Sequence, residues 1–347
     1  MKGKLAVVDI ISKATPLRVA SPGNEVPRRE AVLRRTALLC ALAVLCVLPL
    51  FINNYVQFVV NTMLVYCLVA VGFNVVIGYL GQLAFVSAGF FGVGAYATGL
   101  SMAHLGLPFP VAMVVGTLAG GLIGGLVGLP ALRVRGHYLA IISLAVSEIL
   151  RWVYVHEEGL TFGAGGFTLP DIRLGSEPLG DMGKYYVFLA AAVVAIGATS
   201  LILRSRFGRA FVAVRNNESA AASLGIPVRR AKVVAFAWSG LVIGLAGALF
   251  AALNGRVSPD SFGMAQVLLH FAIVMIGGLG SLLGSILGAV LLTGAPELLR
   301  NFPGLEEIVF SLLLIGVLFF MPKGLGGLVA RYVPFLRERL YRSDDHE

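Results

Sequence analysis

Long apolar runs separated by short polar segments fill most of this 347-residue chain. A helix needs about 20 apolar residues to cross a bilayer, and runs of roughly this length predict ten spans. Several runs contain repeated glycines or a charge, which favours helices that are broken inside the membrane. The pattern predicts an all-α, polytopic membrane helical bundle of about ten transmembrane segments. These predicted segments are residues 36–52, 55–77, 84–104, 108–132, 137–155, 184–203, 231–253, 264–280, 281–299 and 305–321.

The amino-acid composition excludes a soluble fold of this size. Hydrophobic residues make up 58% of the chain and charged residues only 13%, whereas about a quarter of a soluble domain is charged. Glycine contributes 43 residues, most of them inside the apolar runs, as is typical of closely packed or interrupted membrane helices. Cys40, Cys46 and Cys67 also lie in apolar stretches, where a thiol packs as a small hydrophobe.

The distribution of Lys and Arg predicts the orientation of the chain. If ten spans alternate, 22 of the 27 basic residues fall on one side, which the positive-inside rule assigns to the cytoplasm. The acidic loop 156–183 falls on the other, periplasmic side. Residues 1–35 then form a basic cytoplasmic extension, 36–325 the transmembrane domain with a cytoplasmic loop at 204–232, and 326–347 a cytoplasmic tail. Because this topology explains the net charge of +9, membrane lipid is expected as a partner and nucleic acid is not.

Glycine recurs every four residues on two predicted helices. Such a stripe lets another helix backbone approach closely, because lipid supplies no hydrophobic drive for helices to associate. We therefore expect these glycines to serve tight packing within the bundle. The two stripes are Gly116, Gly120, Gly124 and Gly128, and later Gly280, Gly284 and Gly288.

Glu148 and Arg151 form the one charge pair well inside a predicted span. They are three residues apart and so lie on one helix face. Ionisable residues at membrane depth are costly and indicate a functional site. The alternative is mutual neutralisation near the outer interface, with Arg151 extending its guanidinium towards the headgroups.

The region from residue 74 to 99 combines glycines with polar side chains at membrane depth. Irregular backbone there is tolerated where it lies inside protein or lines a cavity. One hypothesis is that this region borders a translocation path. The other is that the glycines let helices cross closely and the polar groups form hydrogen bonds with neighbouring helices. The candidate path residues are Asn74, Gln82, Ser87, Gly89, Gly92 and Tyr96.

Motifs for enzyme chemistry are missing from the sequence. Gly183-Lys184 is followed by Tyr185, so it is not a nucleotide-binding P-loop, and the five histidines lack metal-ligand spacing. We expect neither catalysis by this chain nor a bound cofactor.

The loop at 204–232 has too regular a pattern for a simple connector. Apolar residues alternate with arginines up to Arg215, Asn216 or Asn217 can cap a second short helix, and Glu218 suits its first turn. Gly225 followed by Pro227 would end that helix. The pattern predicts a helix-turn-helix at the membrane surface, with an amphipathic helix resting on lipid headgroups as the alternative.

Five motifs follow one another along the chain: 74–83 with 90–96, then 132–140, then Gly208-Arg209-Ala210, Arg215, Glu218 and Leu224-Gly225-Ile226 in the loop, then 258–262 and 276–281. Taken together in this order, they resemble the branched-chain amino acid permeases of ABC importers, and among them the LivM-type subunit. The likeness covers about residues 36–325. Two positions depart from the family pattern: Phe162 replaces a usual glycine, and Ser285 replaces a usual proline and is expected only to soften a helix bend.

This resemblance implies an ABC importer permease fold in the inner membrane of a bacterium. It also implies a paralogous permease subunit, two cytoplasmic ATPase subunits and a periplasmic solute-binding protein as partners, and import of branched-chain or related amino acids. The residues expected to couple transport to the ATPases are Gly208, Arg209, Arg215, Glu218 and Gly225. Two alternatives remain open: a stand-alone secondary transporter or channel for a small polar solute, and a permease of the same family for urea, amides or aromatic acids.

Overall fold

The computed structural model describes residues 36, 37, 40, 42–134, 136–170, 172–174, 177–299 and 324–327. The predicted N-terminal extension, the tail beyond residue 327 and the predicted span 305–321 lie outside the described residues. Of the first predicted span, residues 42–47 are helical and Leu48–Leu50 form a 3-10 turn. The helices discussed below belong to the compact unit that begins at Leu45.

The described part of this unit is built almost entirely from α-helices, which confirms the all-α prediction. Its only strands are two short antiparallel ribbons in connecting loops, β1 Phe167–Thr168 with β4 Arg256–Val257, and β2 Arg173–Leu174 with β3 Glu177–Pro178. The helices are α1 Asn54–Asn74, α2 Ser87–Leu105, α3 Phe109–Gly128, α4 His137–His156, α5 Glu158–Thr161, α6 Asp181–Arg204, α7 Arg206–Asn216, α8 Glu218–Ser223, α9 Val228–Asn254, α10 Met264–Gly277 and α11 Leu282–Leu299.

Five of the described helical segments are long and apolar enough to cross a membrane, so the chain is a polytopic membrane protein. They are 54–79, 109–132, 137–156, 181–204 and 228–254. The eighth predicted span differs, because α10 ends at Gly277 after 14 residues. At 1.5 Å per residue it reaches about 21 Å, less than the roughly 30 Å of a hydrocarbon core.

The glycine stripe on α3 packs against α9 and α2, as predicted for tight packing within the bundle. A Cβ added at Gly120 would collide with the Gly240 carbonyl, and one at Gly124 would lie 3.1 Å from Gly240 Cα. The later stripe is only partly helical. Gly284 approaches the Gly277 carbonyl, whereas Gly280 lies in the turn before α11 with a φ of 79°.

Candidate functional site

The helix that begins at Asn54 loses its regular hydrogen bonding where the sequence predicts an interruption. After Asn74 it continues as a π-helical turn, Val75–Tyr79, and residues 81–86 are not helical before α2 starts at Ser87. The Leu80 N–H donates to the Val75 carbonyl at 3.0 Å and the Gln82 N–H to the Val76 carbonyl at 3.1 Å. The interruption is therefore an ordered bend, in which Val75, Val76, Ile77 and Gly78 are buried while Gly81 and Leu83 are exposed.

Asn74 fixes this bend to the junction between α10 and α11. Its Nδ2 donates to the Ser281 carbonyl at 2.9 Å and to Ser285 Oγ at 2.6 Å, while its Oδ1 accepts the Gly280 N–H at 2.9 Å. Asn74 and Ser285 are both buried. The expectation that Ser285 only softens a helix bend is wrong, because its hydroxyl is part of this buried network.

Arg215 connects the loop helices to the same bend. Its Nη1 donates to the Gly78 carbonyl at 2.6 Å, and its Cγ is so close to Gly81 that an added Cβ there would lie 2.6 Å away. Gly78 is also packed against Asn74 Oδ1 and the Gly280 nitrogen. One chain of contacts thus runs from α7 through the bend to the start of α11.

Glu218 joins the loop helices to the core through a second contact that the sequence did not reveal. Its carboxylate lies 3.1 Å from Nζ of Lys232, which is completely buried in the first turns of α9. Lys232 Nζ also donates to the Ala131 carbonyl at 3.1 Å. A buried ammonium is tolerated only when it is paired and hydrogen-bonded, so this pair sets the position of α8.

The predicted helix-turn-helix is present as α7 and α8. Ser205 caps α7, the Asn217 side chain accepts the Ala220 N–H at 2.9 Å, and Gly225 has a left-handed φ of 78° after α8 ends. Phe211 and Val214 are buried within the chain itself. The apolar side of α7 therefore faces inward.

The exposed face of these two helices carries few large apolar side chains. Leu224 is 81% exposed and Phe207 is 37% exposed, and Arg209 is exposed as well. Gly208 is buried against the Leu203 carbonyl, where a side chain would not fit. Among the five predicted coupling residues, Arg209, Arg215 and Gly225 are exposed. Arg215 is nevertheless anchored to the rest of the chain, as are Gly208 and Glu218.

The later path candidates lie on α2 and are packed against other helices. Ser87 Oγ is 3.2 Å from Nδ1 of His270, whose Nε2 is 3.0 Å from the Gln266 amide nitrogen. Gly89 faces Ser147 on α4, since an added Cβ would lie 3.0 Å from its Oγ.

Tyr96 belongs to an aromatic cluster on the same side of α2. Its ring stacks on Tyr154 with centroids 4.0 Å apart, and Phe262 contacts both rings. Gly92 lies beneath them, with an added Cβ 2.9 Å from the Tyr154 ring. In the described residues both tyrosine hydroxyls are buried without a hydrogen-bond partner. Gln82, by contrast, is half-buried in the non-helical segment.

The Glu148 and Arg151 pair forms as its spacing predicts and has a further member. Arg151 Nη1 is 3.7 Å from Glu148, and Arg151 Nη2 is 3.5 Å from Asp260 in the 3-10 turn Pro259–Phe262. The side chains of Glu148 and Arg151 are 43% and 37% exposed in this single chain. Charges in a membrane helix face water or protein rather than lipid, so this face of α4 borders a polar environment.

A cavity of about 920 Å³ opens beside the loop helices, at the basic end of the bundle. Its walls come from α7, from the first turns of α9 and from Leu132, and four arginines surround it: Arg206, Arg209, Arg229 and Arg230.

Comparison with known proteins gives consistent matches over most of the chain. Residues 55–322 match the family described as branched-chain amino acid transport system, permease component. The chain is similar to the high-affinity branched-chain amino acid transport system permease protein LivM of Escherichia coli K12, with 33% identity over 287 residues, covering 76% of this chain and 68% of that protein.

Two other relatives are more distant. The permease protein LivH of the same transport system in Escherichia coli K12 is 26% identical over 284 residues, covering 76% of this chain and 91% of that protein. The autoinducer 2 import system permease protein LsrC of Klebsiella pneumoniae is 32% identical over 220 residues, covering 59% of each. No solved structure gave a significant match.

Proposed function

This chain belongs to the family of permease components of branched-chain amino acid transport systems, and we propose that it is the membrane permease subunit of an ATP-driven importer for branched-chain or related amino acids. It would act in the inner membrane of a bacterium together with a second, related permease subunit. Two cytoplasmic ATPase subunits and a periplasmic solute-binding protein would complete the transporter. The similarity to both LivM and LivH, at 33% and 26% identity, supports the pairing of two permeases.

The observation that carries this proposal is the hydrogen bond from Arg215 to the Gly78 carbonyl. It joins α7, on the loop that would meet the ATPases, to the interruption that would border the translocation path. Asn74 continues the connection to the start of α11. A displacement of α7 would therefore reach the bend after Asn74 and the junction between α10 and α11 through these contacts.

The positive-inside rule supports an orientation with the basic end of the bundle and both termini in the cytoplasm and the 156–183 loop in the periplasm. The free face formed by Phe207, Arg209 and Leu224 is the part of the loop available to an ATPase. Apolar burial would supply affinity and the exposed charge would set register. Arg215 and Glu218 would act one step further in, by transmitting movement to the membrane helices.

The substrate would pass the charged face of α4. An amino acid carries a carboxylate and an ammonium group, and the cluster of Arg151, Glu148 and Asp260 offers both opposite charges. The buried aromatic rings of Tyr96 and Tyr154 lie next to this face on α2 and α4. These features support an amino acid more than an uncharged amide.

The test is transport by the full complex in reconstituted vesicles, with the Arg215→Gln and Arg215→Lys variants. The lost charge-assisted bond is worth about 1.5–3 kcal/mol, so we expect Arg215→Gln to lower uptake per ATP hydrolysed about tenfold or more while the subunits still assemble. Arg215→Lys should retain part of the coupling. Arg256→Gln removes the same charge outside this connection and serves as control.

The outcome that contradicts the proposal is equally direct. Substrate uptake by this chain alone, independent of ATP and unchanged in the Arg215→Gln variant, would establish a stand-alone secondary transporter. Uptake of amides or urea by the intact complex, with no uptake of amino acids, would retain the importer and refute the substrate assignment.

A further inference from the structure

The cavity at the basic end of the bundle is lined in part by Phe207 and Arg209, which the proposed function offers to an ATPase, but most of its lining has no role in that function. Its walls are mainly apolar, from residues such as Ile226, Val233 and Val234, and its rim carries four arginines. All four are exposed. Within the described part of the chain, the ion pairs involve other cations, and Arg206 instead lies over the Phe207 ring at 5.5 Å.

Four guanidinium groups without carboxylates call for an anionic ligand. Arginine matches phosphate oxygens particularly well, because its planar fork can donate two parallel hydrogen bonds. Basic pockets between membrane helices at such a surface are suited to the headgroups of anionic lipids. The apolar walls would be a poor lining for a free, hydrated phosphate ion.

An apolar track leads from this cavity along the membrane-spanning helix α3. Leu118, Leu122 and Leu126 lie on one face of α3 because they are spaced by four residues, and Leu129 follows just after the helix ends. All four are more than half exposed. Leu132, the next residue in this series, lines the cavity itself. A ligand with a long hydrocarbon chain could cover this track while its charged group meets the arginines.

We propose that this cavity binds an anionic phospholipid, with the phosphate held by Arg206, Arg229 and Arg230 and one acyl chain along the leucine track of α3, while Arg209 stays available to an ATPase. A lipid supplies both the negative charge and the apolar chain that the surface is built for. An acidic protein surface could satisfy the arginines but could not follow the leucine track into the membrane. Bound lipid would hold the start of α9 against α7, next to the buried Lys232.

The experiment measures lipid binding to the purified full chain by native mass spectrometry, with dioleoyl phosphatidylglycerol and dioleoyl phosphatidylcholine as probes. Phosphatidylglycerol is expected to bind more tightly. Each basic residue at a membrane surface contributes about a fivefold factor, so the Arg229→Gln/Arg230→Gln double variant should bind it about thirtyfold more weakly. The Arg256→Gln control should bind it like the unmodified chain.

Two further measurements distinguish a bound lipid from a bound phosphate ion and separate a lost contact from unfolding of the variant. Inorganic phosphate at millimolar concentration should leave phosphatidylglycerol bound, since it cannot replace the acyl contacts. The Arg229→Lys/Arg230→Lys variant keeps the charge and should restore most of the binding. Equal binding of the two lipids overturns the proposal, as does displacement by inorganic phosphate. A glutamine variant that binds lipid normally but no longer holds its cytoplasmic partner subunits would assign the arginines to a protein contact instead.

Discussion

Replacing Glu218 by Gln is expected to destabilise the chain by about 3–5 kcal/mol, the cost of breaking a buried ion pair from one side. The reason lies in Lys232, which has no exposed surface and whose Nζ is 3.1 Å from the Glu218 carboxylate. After the substitution the ammonium keeps its hydrogen bond to the Ala131 carbonyl and can still donate to the glutamine amide oxygen, but it has lost the negative charge of Glu218. The remaining charge is then buried without a counter-ion.

The double variant Glu218→Gln/Lys232→Met separates this effect from simple loss of packing. Methionine fills a similar volume and removes the buried charge, so we expect the double variant to be more stable than Glu218→Gln alone by about 2 kcal/mol. Lys232→Met alone should cost less than Glu218→Gln, since the Glu218 side chain is 20% exposed and can reach water.

The measurement is the free energy of unfolding in mixed micelles titrated with dodecyl sulfate, read from tryptophan fluorescence, with thermal melting as a second probe. The four chains form a double-mutant cycle. Independent sites add to within about 0.5 kcal/mol. If the destabilisation of the double variant equals the sum of the two single destabilisations within that limit, Glu218 and Lys232 are not coupled and the proposed anchoring of α8 is wrong.

Three further predictions test other parts of the structure. Gly124→Ala should sharply reduce the yield of folded chain, because its Cβ would meet the α9 backbone, whereas the matched Gly125→Ala has an ordinary 3.7 Å contact and should melt like the unmodified protein. Phe162 is the one described non-glycine residue with positive φ, at 63°. Phe162→Val should lower the melting temperature more than Phe162→Asn, since β-branched side chains disfavour the left-handed backbone conformation most strongly and asparagine tolerates it. A single cysteine at Asn217 in a background lacking the three native cysteines should react with an impermeant thiol reagent only from the cytoplasmic side, and labelling from outside would reverse the topology.

The sequence predicted the helices well because membrane spans are encoded locally, in apolar runs and caps. The two loop helices followed from Asn217, Gly225 and the alternation before Arg215, and all three features act within a few residues of their position. The interruption after Asn74 was also foreseeable, since glycines and amides at membrane depth need a local explanation. The early end of α10 at Gly277 was missed because Gly278 and Leu279 remain apolar and extend the run.

The partners of the polar residues could not be predicted, because they come from distant parts of the chain. Arg215 and Gly78 are 137 positions apart, and Asn74 and Ser281 are 207 apart. Lys232 looked like one more basic residue of a cytoplasmic loop, and only the fold shows that it is buried. The departure at Phe162 did carry information: the family's usual glycine fits the positive φ found there.

The glycine contacts also determine which parts of the chain can move independently. A Cβ at Gly94 would strike the Gly244 carbonyl, one at Gly247 the Phe91 carbonyl, and one at Gly116 the Gly94 carbonyl. Helices α2, α3 and α9 therefore touch backbone to backbone, with no layer of flexible side chains between them that could slide. They should turn as one rigid block.

Asn74's contacts lead to a second group of this kind. A Cβ at Gly288 would strike the Ile273 carbonyl and one at Gly284 the Gly277 carbonyl, so α10 and α11 also touch backbone to backbone. Opening and closing would then be a movement of the α10–α11 pair as a whole against the three-helix block. The hydrogen bonds of Asn74 would hold the closed arrangement. A movement of the loop helices, transmitted through Arg215, would break them.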